Sequence, residues 1–196
     1  GDATGGRGGS MYFTVGGGSA GVGGEISISS GAATGSSTGG QGSILTSEGD
    51  SAGSGDLLLM TDASGTTGTT GLVSLSTGAA TNGNSGALML GSGDATTGRG
   101  GSVYVTVGTG TLNTGGAVLL QAGESSAAAG TGGGVTIETG ASTVGNSGDL
   151  LLSTPDAGSV SSGSITVNTG AGSVGDSGDL YIGSDESSGG RGGDIY

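Results

Sequence analysis

The stretch GRGGSVY, Gly98 to Tyr104, has two close relatives in the same chain: GRGGSMY at Gly6 to Tyr12 and GRGGDIY at Gly190 to Tyr196. The three stretches start 92 residues apart (98 − 6 and 190 − 98). They contain all three arginines of a chain that has no lysine. Self-similarity at a fixed period is the signature of a repeat array, so the sequence predicts one.

A shorter repeat lies inside this long one. A glycine, called here the anchor glycine, precedes a short apolar segment thirteen times, and eight of the twelve spacings between anchors equal fifteen positions. Six short repeats make one super-repeat. We therefore expect a single continuous array over residues 1–196, with super-repeats at 6–97 and 98–189 and the start of a third at 190–196. The anchors are Gly9, Gly24, Gly42, Gly55, Gly71, Gly86, Gly101, Gly116, Gly133, Gly148, Gly163, Gly178 and Gly193.

Apolar residues alternate after each anchor. The second position is apolar in all thirteen repeats, and the fourth position is polar only at Thr46. Such alternation predicts β-strands with one face buried, and it does not fit a helix, in which residues i and i+2 point to different sides. Strands at this spacing could form hairpins or coil in one direction. Equivalent residues in register favour coiling, so we predict an all-β fold, a parallel β-solenoid (β-helix) with about 15 residues per rung, six rungs per super-repeat, and these two columns as its core.

Composition limits the function. The chain has 53 glycines, 3% aromatic residues and a net charge of −13. Such glycine content usually indicates disorder, but the strict period favours order. The acidity argues against nucleic-acid partners, and no apolar run reaches the length of a membrane span. Without His, Cys or Lys, a hydroxyl nucleophile would have no ordinary base. We therefore predict neither an enzyme nor a cofactor.

Calcium is the one metal for which the sequence offers candidates. A Gly-Asp-apolar pattern recurs, and stacked carboxylates could share a hard cation. The simpler interpretation, a solvated acid at the start of a strand, is favoured over calcium binding. The weak candidate ligands are Asp56, Asp149, Asp179 and Asp194.

The third position after the anchor is expected to face outward, where a solvated strand would be polar. More than half of these residues are large and apolar instead. Ordinary surface scatter or shielding by a loop is the alternative, but an interface with another copy is favoured because exposed apolar stripes usually mark association. The candidate interface residues are Tyr12, Leu45, Leu58, Met89, Tyr104, Leu119, Leu151, Tyr181 and Tyr196.

Each arginine follows an acid by five or six positions. These acids predict charge pairs that set the register between neighbouring rungs or chains, although exposed pairs contribute little singly. The predicted pairs are Arg7 with Asp2, Arg99 with Asp94, and Arg191 with Asp185.

The repeat unit resembles Gly/Ser/Thr-rich parallel β-solenoids of extracellular surfaces and filaments, including repetitive proteins of microalgae. The resemblance covers the whole chain and implies a secreted or cell-surface structural protein that assembles lengthwise with itself. Because no polar capping unit is apparent, we expect either a longer continuous array or head-to-tail stacking of copies. The alternatives are an adhesin or carbohydrate-binding solenoid, and an ice-binding solenoid. The flat Thr-x-Thr face of ice-binding solenoids is not matched by the mixed outward residues here.

Overall fold

A computed structural model describes residues 4, 7–49, 53–112 and 114–196, and these residues contain neither an α-helix nor a β-strand. The prediction of an all-β parallel β-solenoid is therefore wrong. The described chain consists of extended stretches separated by bends. It divides into two units, Gly1–Gly93 and Asp94–Tyr196.

Bends keep the period of the sequence. In the first unit, bends lie at 19–21, 66–68 and 81–83, with a turn at 35–36. In the second unit, bends or turns recur about once per short repeat, at 96–98, 127–129, 143–145, 158–160, 173–175 and 188–190 among others. Most of them begin ten or eleven positions after an anchor glycine. The repeat is therefore a real structural unit, although its apolar segments are not joined into a sheet.

Several repeats close on themselves over a short distance. In the first unit, Gly40 N donates to Gly31 O at 2.8 Å. In the second unit, Gly133 N donates to Gly123 O and Gly148 N to Gly140 O, both at 2.9 Å. The partners are separated by less than one short repeat, whereas neighbouring rungs of a solenoid would join residues a full repeat apart. We call the segment between such partners a closure loop.

Hydroxyl side chains close loops of the same kind in other repeats. Thr154 Oγ1 donates to Gly163 O at 3.2 Å, and Ser184 Oγ donates to Gly193 O at 2.8 Å. Both hydroxyls belong to the sixth residue after one anchor, and both acceptors are the next anchor. Only Ala122 and Thr154 are half-buried among the described residues, and both occupy this sixth position. The closest packing in the chain therefore lies where one repeat meets the start of the next.

No described hydrophobic side chain is buried. The accessible surface is 19211 Å², against roughly 8000 Å² for a compact folded protein of 17.7 kDa. The two columns assigned to the core are thus exposed, and that assignment is wrong. Ordering a glycine-rich repeat costs about 1–2 kcal/mol per residue, while two apolar side chains recover about 1.5–3 kcal/mol each. A single chain therefore gains too little from stacking its own repeats.

The alternation of side chains nevertheless survives. Leu150 is 55% exposed, Leu151 is 81% exposed and Leu152 is 68% exposed. The middle residue projects furthest into solvent, as expected of an extended backbone whose successive side chains point to opposite sides. The apolar segments thus keep strand-like local geometry without strand pairing.

Candidate functional site

The apolar segments that follow the anchor glycines are the most extensive surface feature of the described chain. We define an apolar segment as the second to fourth residues after an anchor glycine, for example Leu150–Leu152. No Asp, Glu or Arg occupies any of these positions. Each apolar segment is therefore free of charge, and where a repeat contains acids they lie outside the segment.

All nine candidate interface residues lie exposed in the described chain, which agrees with a surface position but does not by itself test an interface. The second and fourth positions after each anchor glycine, which the sequence had assigned to a core, are exposed as well and extend the candidate interface. Leu57, Val118 and Leu180, for instance, are each more than half exposed. The alternation of the sequence could not reveal this addition, because an exposed apolar column and a buried one have the same pattern.

Arg191, Asp194 and Tyr196 form a cluster in the third GRGG stretch. Arg191 Nη2 lies 2.6 Å from Asp194 Oδ1 and 2.7 Å from Oδ2, and it donates to both. Tyr196 Oη donates to Asp194 Oδ2 at 3.2 Å. Arg191 is 80% exposed and Asp194 is 43% exposed. The carboxylate thus accepts hydrogen bonds from a guanidinium and a phenol at once.

A second pair of the same kind lies one repeat earlier. Tyr181 Oη donates to Asp179 Oδ2 at 2.9 Å. In both pairs the acid is the first residue after an anchor glycine and the tyrosine is the third. An extended backbone places residues i and i+2 on the same side, which brings the phenol to the carboxylate. The sequence contained this signal, as a Gly-Asp-x-Tyr pattern in two repeats.

The predicted charge pairs have different surroundings. Asp185 Oδ1 accepts from Glu186 N at 2.9 Å, while Arg191 is bound to Asp194. No ion pair joins Arg99 to Asp94 in the part of the chain that the structure describes. Asp2, the predicted partner of Arg7, lies outside the described residues.

The structure brings the calcium candidates into no ligand set. Within residues 4, 7–49, 53–112 and 114–196, no three acidic side chains come together in a group that could hold a metal ion. Asp179 and Asp194 each accept a hydrogen bond from a tyrosine instead. The described residues also enclose no cavity.

No helix in the described residues has the length and apolar character needed to cross a membrane. Comparisons of the chain with protein-family models, with curated proteins and with solved structures give no match. The function of the chain is therefore inferred from its own geometry.

Proposed function

We propose that this chain is an extracellular structural protein that assembles with copies of itself into a filament through its apolar segments. The observation that carries the proposal is the exposure of every apolar segment in the described chain. Each segment exposes two or three neighbouring apolar side chains, and exposed apolar patches on soluble proteins usually mark association. Burying one Val, Leu or Ile side chain contributes about 1.5–3 kcal/mol.

A second copy of the same chain is the partner that best fits this surface. The segments repeat at nearly constant spacing, so two copies can align their segments at several offsets, each a whole number of short repeats. An offset alignment leaves unpaired segments at both ends, and these segments can accept further copies. Contacts that do not close on themselves produce open filaments.

The negative charge of the chain is compatible with this assembly when salt screens the repulsion between copies. The net charge of −13 makes copies repel each other, but no acid lies inside an apolar segment. Salt screens the repulsion between exposed charges that are farther apart than the Debye length. This length is about 10 Å at 0.1 M salt and becomes shorter as the salt concentration rises. Assembly should therefore need less protein as salt is raised.

The extracellular location rests on the resemblance of the repeat unit to Gly/Ser/Thr-rich repeat proteins of cell surfaces. It can be tested separately from assembly. Intact cells treated with an added protease should lose the protein if it lies on their surface, whereas a protein inside the cell would survive until lysis.

Assembly can be measured by light scattering and electron microscopy over a range of protein and salt concentrations. We expect filaments above a threshold concentration. In the double variant Leu150→Asp/Leu152→Asp, charges would enter the apolar surface, and the threshold should rise at least about tenfold, since one buried apolar side chain contributes about 1.5–3 kcal/mol.

The matched control is Ser147→Asp/Ser153→Asp, which adds the same charge just outside the apolar segment. Its threshold should change by less than about threefold, because exposed charges are screened by salt. A chain that stays monomeric at every concentration and salt level would refute the proposal, as would equal effects of the two double variants.

A further inference from the structure

We propose that Tyr181 and Tyr196 are the preferred sites of one-electron oxidation in this chain, and that they form dityrosine links between copies. Both phenols donate a hydrogen bond to a carboxylate two residues earlier, at 2.9 Å for Tyr181 and 3.2 Å for Tyr196. Both side chains are exposed, Tyr181 at 87%. Preferred oxidation at these two tyrosines does not depend on the proposed function. The formation of links between copies rests on the proposed assembly.

The carboxylate matters because a phenol that loses an electron must also lose its proton. Tyrosine is neutral at ordinary pH, with a pKa near 10. A hydrogen-bonded carboxylate can take the proton from Oη as the electron leaves, so that no charged phenol radical forms. This is general-base chemistry with the base already in place.

The reaction balances with a peroxide as the oxidant, used by a haem peroxidase. Each of two tyrosines gives up one electron and the Oη proton, and the proton passes through the aspartate to water. The two phenoxyl radicals join through a new carbon–carbon bond between ring positions ortho to the oxygens. Each coupled carbon then loses its hydrogen as a proton, which is compensated when the two phenol oxygens are reprotonated. The sum is two tyrosines and one hydrogen peroxide giving one dityrosine and two waters.

The chain carries its own control in the second GRGG stretch. Tyr104 occupies the same repeat position as Tyr196, but Ser102 stands where Asp194 stands in the third stretch. Tyr104 is 83% exposed, so access to an oxidant is similar. Its hydroxyl has no hydrogen-bond partner among the described residues. Tyr104 and Tyr196 therefore share a repeat position and differ in the neighbouring base.

Tyr181 should be the more reactive of the two preferred sites. Its hydrogen bond is the shorter one, and the Asp179 carboxylate is bound to no guanidinium in the described chain. The Asp194 carboxylate is shared with Arg191, which competes for the oxygen that would accept the proton. The expected order of oxidation rates is Tyr181, then Tyr196, then Tyr104.

The test uses the full chain below its assembly threshold and a small diffusible oxidant, photogenerated ruthenium(III) tris-bipyridine. Oxidation at each tyrosine is followed by peptide mass spectrometry at low conversion. We expect Tyr181 and Tyr196 to react about tenfold faster than Tyr104, the factor that a hydrogen bond to a charged group can give in a rate. Asp194→Ser should reduce the rate at Tyr196 to that of Tyr104, and Ser102→Asp should raise the rate at Tyr104.

A solvent isotope effect separates base assistance from a merely structural role. Heavy water should slow oxidation at Tyr181 and Tyr196, where the proton moves with the electron, and Asp179→Ser should remove this effect at Tyr181 alone. Equal rates at the three tyrosines, or a preference that persists in both serine variants, would overturn the assignment of these sites.

The link between copies is tested separately above the assembly threshold, with a haem peroxidase and hydrogen peroxide. Covalent dimers with dityrosine fluorescence should appear, and Tyr181→Phe/Tyr196→Phe should lose most of them. Preferred oxidation at both sites without covalent dimers would contradict the linking step and the assembly, while leaving the oxidation sites established.

Discussion

The closure loops form hydrogen bonds to the backbone within the chain and the apolar segments of the described residues do not, although both belong to the same repeat. The loops contain the short contacts of the chain: Gly133 N to Gly123 O at 2.9 Å and Thr154 Oγ1 to Gly163 O at 3.2 Å. The apolar segments make no backbone hydrogen bonds with one another among the described residues, and their side chains remain in solvent. Contacts between residues less than one repeat apart form within one chain, and contacts that would bury the segments do not.

This difference follows from the cost of each contact. Closing a loop of about nine residues loses little chain entropy, and a single hydrogen bond can hold it. Covering an apolar segment requires a second segment with its own ordered loop, at about 1–2 kcal/mol for each residue fixed. The apolar segments therefore remain exposed, as the proposed assembly requires. Variants that act only on the loops should consequently alter local structure and leave the assembly threshold nearly unchanged.

Gly35 should show the largest effect on a closure loop. Its φ of 76° lies in the left-handed region, which costs residues with a Cβ roughly 1–2 kcal/mol. Gly35→Val should therefore open the loop held by Gly40 N and Gly31 O, and amide hydrogen exchange at Gly40 should become at least about fivefold faster. Gly35→Asn should have a smaller effect because asparagine tolerates this region better than valine. Equal exchange in both variants would show that the turn does not support the closure.

Gly133 and Gly134 offer a test with adjacent residues. A Cβ on Gly133 would lie 3.3 Å from Gly123 N and 3.5 Å from Ala122 Cβ, while a Cβ on Gly134 would meet nothing within 4 Å. Gly133→Ala should weaken the Gly133–Gly123 hydrogen bond by about 1 kcal/mol, the net value of an ordinary hydrogen bond. Gly134→Ala should leave it intact. The exchange rate of the residue 133 amide can be measured by NMR in both variants. Equal rates in the two variants would contradict the close contact.

Arg191 should show the smallest effect. Its ion pair with Asp194 is largely exposed, and such pairs contribute little to stability. At low salt the Arg191 guanidinium should exchange its protons more slowly than that of Arg99, which has no carboxylate partner in the described chain. The difference in proton exchange between the two guanidinium groups should vanish near about 1 M salt, where the Debye length is only about 3 Å. Indistinguishable guanidinium signals at low salt would mean that the pair does not persist in solution.

Much of the candidate site could be predicted from particular residues. The alternation of Leu150, Leu151 and Leu152 indicates an extended segment with two apolar sides, which the structure shows. The Asp-x-Tyr spacing at 179–181 and 194–196 places acid and phenol on one side of such a segment, and both hydrogen bonds are present. By contrast, the partner of Arg191 could not be predicted, because Asp185 and Asp194 are both close in sequence and the local path of the chain decides between them.

The period, the spacing of the bends and the separation of apolar segments from charges can be traced to the order of the amino acids. These features depend on residue type and local backbone geometry, which act over a few residues. The exposure of the apolar columns is visible only in the tertiary structure. An alternating pattern predicts that one side of a segment avoids water, but it does not state which surface provides the cover. In this chain the entropy cost of ordering a whole glycine-rich repeat exceeds what two apolar side chains per repeat return, so the contacts that form are the short closures and the columns stay exposed.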